Sequence, residues 1–206
     1  MTSKEIGSLS NQIRYCYAAN KRNTKPIHLS ISSLSGSTLN NLSRCDGFPN
    51  QWTLRAFTHT DQSLLSLHTD PSRVVYLTEC SDTILDTLVD GDVYVIGGIV
   101  DRNRLKGVTR KKAKEMGVRT AALPIDKYLK KGKGPSTATK VLTCNHVFEI
   151  LLKFRENGGD WGAAMLDVLP TRRGDGDGDG ARSDDGGVKE VASDSAVIVA
   201  GNETTS

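Results

Sequence analysis

Residues 93–103 join a short apolar strand, two glycines and a carboxylate, and this order restricts the fold more than any other feature of the sequence. Residues 93–96 are apolar and mostly β-branched, which predicts a strand buried inside a sheet. Gly97 and Gly98 end that strand, and Asp101 follows within a run of cations. Sheets of α/β proteins form ligand sites beyond the carboxyl ends of their strands, and glycines let the backbone approach a ligand closely. We therefore predict a ligand site directly after this strand, with an anion nearby.

Strand-like and helix-like segments alternate along most of the chain. Thr109, Thr143 and Asp160 are expected N-caps of helices, and Gly117 is an expected C-terminal stop. This alternation predicts an α/β fold in which a parallel sheet has helices on both faces. The predicted helices are residues 4–23, 37–45, 82–88, 109–116, 127–131, 143–156 and 160–169, and the predicted strands are residues 27–31, 73–78, 93–97, 119–123 and 140–142.

The composition changes near residue 174. A Gly-Asp repeat at residues 174–180 and an acidic, Ser-rich remainder bury too little apolar surface to fold. The brief apolar run at residues 197–200 does not alter this expectation. We therefore predict one folded domain over residues 1–173 and a disordered acidic tail over residues 174–206.

The net charge of +3 hides an asymmetry between these two parts. The predicted domain has 25 Lys and Arg against 16 Asp and Glu, and thirteen of the cations lie within residues 102–140. A domain this basic favours a polyanionic partner, and although a solvated lysine-rich surface has the same composition, the clustering favours nucleic acid. The expected phosphate contacts are Arg102, Arg104, Lys106, Arg110, Lys111, Lys112 and Lys114.

Several classes of protein are disfavoured by the sequence. No apolar run reaches the length of about 18 residues that a membrane span needs, and the first ten residues have no features of a leader peptide. The four cysteines are scattered, which predicts reduced intracellular thiols. The histidines have no ligand spacing, so we expect no metal requirement. The Gly-x-Gly-x-x-Gly motif of Rossmann enzymes is absent.

Five segments together resemble the Trm10 family of tRNA methyltransferases, in the SPOUT superfamily. The most specific are the central motif at residues 94–106 and the segment at residues 140–152, Lys-Val-Leu-Thr-Cys-Asn-His-Val-Phe-Glu-Ile-Leu-Leu, in combination. The others are residues 12–22, 74–78 and 123–125. The resemblance implies a SPOUT-type fold with a C-terminal trefoil knot, which composition does not predict because true knots are rare.

The family reaction is methylation of N1 of a purine at position 9 of tRNA, usually guanine, with S-adenosylmethionine as the methyl donor. The resemblance also implies a monomer that acts in the nucleus or the cytoplasm. In the family the cofactor lies bent in the knot and is held largely by the backbone of three loops. The cofactor-binding residues implied are Leu77, Thr78, Gly97, Gly98, Arg102, Asn103, Arg104, Leu105, Lys106, Leu123, Val141, Leu142 and Thr143, with Ala113 as a further wall residue.

Asp101 is the candidate catalytic residue. Guanine N1 carries a proton near neutral pH, and a positioned carboxylate that removes it accelerates transfer roughly a hundredfold to ten-thousandfold. Asp101 follows the expected cofactor loop, where such a base would lie. It has two alternative roles, which are pairing with a nearby cation and positioning the base without becoming protonated.

The substrate-binding candidates lie in the first helix and around the basic run. The resemblance suggests that the polar residues of the first helix line the tRNA groove or support the site, whereas a solvated face explains its two arginines equally well. Asn103 is suited to hydrogen-bond the target base or the cofactor, although it is also a common turn residue. The full set is Gln12, Arg14, Asn20, Arg22, Asn103, Lys106, Arg110, Lys111 and Lys112.

Two other functions remain open from the sequence. One is methylation of adenine N1, alone or together with guanine; that nitrogen already has a free lone pair and needs no base. The other is a non-catalytic tRNA-binding subunit of a tRNA-processing complex. The presence of Asp101 and of the glycines at the expected cofactor loop disfavours the second alternative.

Overall fold

The computed structural model describes residues 1–45, 47–100, 107–129, 142–169 and 197–201. Helices and strands alternate over much of these ranges, except that two strands follow each other within residues 74–97 and three helices within residues 125–168. The helices are α1 (Ser3–Arg22), α2 (Gly36–Leu42), α3 (Leu64–Leu67), α4 (Val108–Glu115), α5 (Ile125–Leu129), α6 (Cys144–Glu156) and α7 (Trp161–Val168). The strands are β1 (His28–Ser32), β2 (Phe57–His59), β3 (Val74–Leu77), β4 (Val93–Gly97), β5 (Arg119–Ala121) and β6 (Val197–Gly201).

The strands form one sheet in the order β2-β1-β6-β4-β3-β5. Strand β3 pairs in parallel with β4 on one side and with β5 on the other, and β1 pairs in parallel with β2. Parallel neighbours need crossover connections. Helix α2 lies in the connection from β1 to β2, whereas the connection from β3 to β4 contains no α-helix. The predicted α/β class is therefore confirmed for the described residues, with one exception at β6.

Alternate residues of the strands face opposite sides of the sheet and define two apolar clusters. On one side Val75, Leu77 and Ile96 join residues of α1, α6 and α7 in the main core. On the other side Val74, Tyr76, Val95, Ala113 and Val118 form a smaller cluster, in which Ala113 belongs to α4. Helices thus cover both faces of the sheet, as predicted for parallel strands that are buried on both sides.

Strand β6 contradicts the prediction of a disordered tail for residues 197–201. It lies in the middle of the sheet, antiparallel to both β1 and β4. Ile198 has no exposed surface and belongs to the main core. The prediction was wrong here because it weighed only the average composition of the segment, whereas a β-branched run with partners on two edges buries enough surface to be ordered.

Residues 82–88 are not helical, contrary to the prediction. Ile84 instead forms an isolated parallel bridge with Ala122, and the Leu85 N–H donates to the Ala122 carbonyl at 2.8 Å. These residues extend the edge of the sheet beyond β5, so their backbone donors pair between segments. The helical pattern of a short segment was overridden by long-range backbone pairing.

The helix ends agree with the sequence in part. Asp160 caps α7 and accepts from the N–H groups of Gly162 and Ala163. Gly117 follows α4 with φ of 66°, and the Val118 N–H returns to the Ala113 carbonyl at 3.1 Å, as in a Schellman motif. The predicted cap Thr109 was wrong, since Gly107 is the N-cap of α4.

Other differences concern short elements. Strand β2 and helix α3 were not predicted, because three and four residues are too few to show a period. Leu142 is not part of a strand, and the two residues before it in the predicted strand lie outside the described residues. The predicted helix at residues 127–131 begins earlier, at Ile125.

Candidate functional site

The carboxyl ends of β3, β4 and β5 meet at one edge of the sheet. Leu77 is in register with Ile96 of β4 and with Ala121 of β5. The Thr78 N–H donates to the Ala121 carbonyl at 2.9 Å, which holds the residue after β3 against the end of β5. Leu77, Thr78, Gly97 and Gly98 therefore lie together, as predicted for a ligand site at strand ends.

The beginning of α6 joins the same edge through Cys144. The Cys144 thiol donates to the Gly97 carbonyl at 3.3 Å, although the two residues are 47 positions apart. Burial raises the pKa of this thiol to about 11, so it stays protonated and can act as a donor near neutral pH. Leu142 and Thr143 directly precede Cys144 and are therefore brought to the end of β4.

Gln12 supports this junction from α1. Its Oε1 accepts a hydrogen bond from the Cys144 N–H at 2.9 Å, which satisfies a backbone donor at the start of α6. The side chain is buried, with a 7% exposed residue surface. The prediction that Gln12 lines the tRNA groove is therefore wrong, whereas its alternative role of supporting the site agrees with this geometry.

Asn20 also has a structural role. Its side chain accepts from the Ile27 N–H at 2.9 Å and donates to the Ile27 carbonyl at 2.7 Å, and the residue is fully buried. It thereby fixes the turn between α1 and β1, and the prediction that it contacts substrate is wrong. Arg14 and Arg22 are exposed on α1 and keep their predicted availability for RNA.

Thr143 is the N-cap residue of α6, but its hydroxyl makes no capping bond to the helix backbone. The Oγ1 atom donates instead to Asn145 Oδ1 at 2.8 Å. Because Gln12 of α1 accepts a hydrogen bond from the Cys144 N–H, a residue of another helix partly caps the start of α6. The backbone at Thr143 then lies at the site edge with its side chain turned to Asn145.

Gly97, at the end of β4, packs closely on the side chain of Tyr76. A Cβ atom at this residue would lie 3.3 Å from the Tyr76 hydroxyl, tighter than an ordinary contact. Tyr76 is buried beneath it, and burial raises the pKa of its hydroxyl to about 12. A side chain at this position would therefore crowd Tyr76, so the end of β4 requires a glycine here.

Ala113 is not a wall of this site. Its side chain is fully buried in the smaller cluster with Tyr76 and Val118, so the prediction that it contacts the cofactor is wrong. Leu123 and Leu142 are only partly buried and pack against the main core, which leaves part of each side chain open at the edge. Both therefore keep their predicted place in a cofactor pocket.

The cations of α4 differ in their surroundings. Arg110 donates to the Cys80 carbonyl at 2.7 Å and to Asp82 at 2.6 Å. Lys111 lies 3.8 Å from Glu115 on the exposed face, whereas Lys112 is half-buried and its pKa is lowered by desolvation. Lys114 is exposed. The four predicted phosphate contacts of this helix are thus not equivalent.

Seven of the predicted site residues lie outside the described residues, and their predicted roles stay predictions. They include the candidate base Asp101, which directly follows the described Val100. The seven are Asp101, Arg102, Asn103, Arg104, Leu105, Lys106 and Val141.

A separate cavity of about 330 Å³ opens near the amino ends of β3 and β4. It is lined by Val75, Tyr94, Arg119 and the segment at residues 83–92, and none of the predicted site residues contributes to it. Asp92, buried at its rim, pairs with Arg119 at 2.7 Å. Its lining reaches Ala121 at the end of β5 but includes none of the residues predicted for the site.

Among the described residues, no His, Cys, Asp and Glu side chains form a group of three or more that could hold a metal ion. None of the helices in the described part of the chain is long and apolar enough to cross a membrane.

The fold and its convergent strand ends define an α/β protein with a candidate ligand site at one edge of the sheet. The family model described as tRNA (guanine(9)-N(1))-methyltransferase TRM10/TRM10A matches residues 1–174. The chain belongs to this family.

Curated relatives agree with the family assignment. The tRNA (guanine(9)-N1)-methyltransferase of Debaryomyces hansenii is 38% identical over 177 residues, which cover 84% of this chain and 48% of the relative. The enzyme of the same name from Schizosaccharomyces pombe is 37% identical over 179 residues, covering 84% of this chain and 55% of the relative. The chain thus spans about half the length of these relatives.

Solved structures show the same architecture. Full-length spTrm10 in complex with SAH has a TM-score of 0.73 and 35% identity, covering 82% of this chain and 88% of that chain. A dual specific Trm10 from Thermococcus kodakaraensis has a TM-score of 0.57 at 17% identity, covering 82% of this chain and 93% of that chain, and shows the likeness of the fold alone.

Three residues that hold the site together, Cys144, Tyr76 and Asp82, are not predicted by the sequence. Cys144 lies inside a recognised motif, but a lone cysteine at a helix start gives no signal of its hydrogen bond to Gly97. Tyr76 was identified only as part of a buried strand. The position of Asp82 beside Arg110 depends on a contact across 28 residues, which no local pattern encodes.

Proposed function

We propose that this chain is an S-adenosylmethionine-dependent tRNA methyltransferase that forms N1-methylguanosine at position 9. The observation that supports this proposal most directly is the convergence of three strand ends and the start of α6 around Gly97. The Cys144–Gly97 and Thr78–Ala121 hydrogen bonds hold these segments together. The named activity of the relatives and the SAH bound by spTrm10 support the same assignment.

The residues at this edge suit the proposed cofactor. Gly97 and Gly98 place no side chain over the backbone at the end of β4, and Leu123 and Leu142 offer partly open apolar surface. Adenine and an amino-acid group need backbone donors and acceptors together with apolar walls, which is what this edge provides. When bound, S-adenosylmethionine supplies an activated methyl group. Leu77, Thr78, Gly97, Gly98, Leu123, Leu142 and Thr143 are the described residues proposed to hold it.

We propose that Asp101 accepts the proton of guanine N1 as the methyl group is transferred. The bond from N1 to hydrogen breaks as the bond from N1 to the methyl carbon forms, and the proton moves to the carboxylate. The bond from that carbon to sulfur breaks, and its electron pair stays on the sulfur of SAH, which leaves. In the sequence Asp101 follows Gly97, the last residue of β4, by four positions. If Asp101 only positions the guanine base, the pH dependence of methyl transfer differs from the pH dependence expected for a general base.

The proposed partner is tRNA, bound by the basic surface around α4 and the exposed arginines of α1. Lys111, Lys114, Arg14 and Arg22 are exposed and lie on these two helices. Phosphate contacts would orient the RNA, while the strand-end site receives the base. A monomer, a C-terminal trefoil knot and a nuclear or cytoplasmic location belong to the same proposal, supported by family membership.

The test is methyl transfer from labelled S-adenosylmethionine to a guanosine-9 transcript and to its adenosine-9 twin, with the nucleosides identified by mass spectrometry. We expect N1-methylguanosine from the first transcript alone. Methylation of both would establish dual specificity instead. No product on either, despite tight tRNA binding, would favour a non-catalytic tRNA-binding subunit.

The role of Asp101 is tested by Asp101→Asn. We expect guanosine methylation to fall by a factor of a hundred or more, since an amide does not accept the proton. The Kd for SAH should stay within about twofold, which separates catalysis from binding. A pH–rate profile of the variant that still shows the ionisation of a base in the wild-type range would contradict the assignment.

A further inference from the structure

We propose that Arg110 is a positioning residue that braces the cofactor loop after β3, and that it is not an RNA phosphate contact. The proposal rests on the proposed function, because the loop is assigned there to the cofactor. We call the three groups involved, Arg110, Asp82 and the Cys80 carbonyl, the Arg110 brace. It links α4 to residues 78–83.

The Arg110 side chain uses both ends of its guanidinium inside the protein. Nη1 donates to the Cys80 carbonyl at 2.7 Å, and Nη2 donates to Asp82 Oδ2 at 2.6 Å. These are short, charge-assisted bonds in the fork geometry that arginine favours. These two bonds use two of the five N–H donors of the guanidinium and direct the side chain to the loop after β3.

The loop that it holds begins at the proposed cofactor site. Thr78 Oγ1 accepts from the Cys80 N–H at 3.4 Å, so Cys80 is directly tied to a proposed cofactor residue. On the other side Ser81 Oγ and Thr120 Oγ1 are 3.0 Å apart, which attaches the loop to β5. The Arg110 brace provides the corresponding attachment to α4.

Helix α4 lies at the other end of this brace and borders the site through its first turn. Thr109 Oγ1 is 3.7 Å from the position of a Cβ on Gly97, so the residue before Arg110 faces the end of β4. The same helix follows the segment that contains Asp101 in the chain. Through Arg110, the loop after β3 and the helix beside the β4 end are therefore held as one unit.

The size of the expected effect follows from exposure. The Arg110 and Asp82 side chains are 51% and 88% exposed, so their ion pair alone contributes little. The bond to the Cys80 carbonyl fixes the loop backbone, and loss of a hydrogen bond to a charged group has a larger effect. We expect a roughly three- to tenfold weaker Kd for SAH in the absence of RNA when Arg110 is replaced.

The experiment compares Arg110→Gln, Asp82→Asn and the double variant with Lys111→Gln, a matched loss of charge at the next position of the same helix. Calorimetry measures the Kd for SAH without RNA, and steady-state kinetics separate the KM for S-adenosylmethionine from the KM for tRNA. Hydrogen exchange of residues 79–83 reports the loop directly, without cofactor or RNA.

We expect Arg110→Gln to weaken SAH binding, raise the KM for S-adenosylmethionine and speed exchange in the loop. Lys111→Gln, at a residue proposed to bind tRNA, should raise only the KM for tRNA and leave the Kd for SAH and the loop exchange unchanged. Asp82→Asn should have a smaller effect, and adding it to Arg110→Gln should change little, since both act through one contact. A raised KM for tRNA alone in Arg110→Gln, with normal SAH affinity and normal exchange, would overturn the proposal and restore the phosphate contact. If the wild-type chain binds no SAH, the proposed function fails, and the loop exchange still decides whether the brace exists.

Discussion

At the scale of single residues, burial divides the four cysteines into two kinds. Cys16 and Cys144 are buried, whereas Cys45 and Cys80 are partly exposed. Burial raises the pKa of the Cys16 thiol well above its ordinary value and that of the Cys144 thiol to about 11. Because the thiolate is the reactive form, the two buried thiols are inert in the folded protein.

This difference predicts the pattern of alkylation. Iodoacetamide at pH 8 should modify Cys45 and Cys80 in the folded chain and spare Cys16 and Cys144, which should react only after unfolding. Peptide mass spectrometry measures the modified fraction at each site. Rapid labelling of Cys144 under native conditions would contradict its packing against Gly97.

The raised pKa of Cys144 also predicts how stability depends on pH. The folded state favours the neutral thiol, so its contribution is complete below the ordinary pKa of 9.0 and is lost as the pH rises toward about 11. We expect the free energy of unfolding to decrease across this range, by about 1.4 kcal/mol per unit of pKa difference. Denaturant titrations at several pH values measure it, and Cys144→Ala should show a flatter dependence.

Gln12 is predicted to matter for stability rather than for RNA contact. Gln12→Ala removes the acceptor for the buried Cys144 N–H, and an unsatisfied buried donor costs about 1–3 kcal/mol. Arg14→Ala, two residues away on the exposed side of α1, is the control and should leave stability unchanged. Chemical denaturation measures both variants, and equal stability of the two would show that Gln12 does not hold α6.

At the scale of elements, β6 is the strand on which the continuity of the sheet depends. It separates β1 from β4, so without it the sheet would consist of a pair, β2-β1, and a triplet, β4-β3-β5. Its backbone pairs on both edges, and Ile198 fills the main core. An antiparallel strand from the far end of the chain thus completes a sheet whose other pairs are parallel.

Strand β6 can be tested by two changes. Ile198→Ala should destabilise the chain by about 2–5 kcal/mol, the usual range for a fully buried aliphatic side chain. Ending the chain after Gly201 should have no such effect, whereas ending it before Val197 should lower the midpoint of thermal unfolding strongly. Scanning calorimetry measures all three, and an unchanged midpoint without residues 197–201 would show that β6 does not complete the sheet.

At the scale of the whole molecule, charge is distributed unevenly. The predicted basic surface includes cations of α1 and α4. The eight acidic residues after residue 173 offset part of this positive charge in the net charge of the chain. Phosphate binding releases counterions, so affinity for tRNA should fall steeply with salt. Affinity for SAH should change little, because its site is built mainly from backbone and apolar groups.

The salt dependence distinguishes individual lysines. If Lys114 contacts a phosphate, Lys114→Gln should reduce the magnitude of the slope of log Kd against log salt by about one, which corresponds to the loss of one phosphate contact. Lys153→Gln is the control, since Lys153 pairs with Glu156 at 2.6 Å in the last turn of α6, away from the strand ends. Fluorescence anisotropy with labelled tRNA at several salt concentrations measures both slopes. Equal slopes for wild type and Lys114→Gln would remove Lys114 from the interface.

The sequence by itself determined the α/β class and the order of the main elements, and it predicts the edge at which the candidate site lies. These depend on short-range signals: the apolar runs of β3 and β4, the glycines that end β4, and the caps at Asp160 and Gly117. Each such signal lies within a few residues of the structure that it predicts, so it can be read locally.

Only the tertiary structure shows which polar residues are exposed to bind a ligand or RNA and which are used in contacts within the protein. Gln12 and Cys144 meet across 132 positions, and Asp82 and Arg110 meet across 28. A hydrogen bond between elements leaves no periodic trace in the sequence, so a buried glutamine and a braced arginine resemble exposed ones. For the same reason the sequence does not predict β6. The order of this strand depends on β1 and β4, the two strands that it joins, and not on its neighbours in the chain.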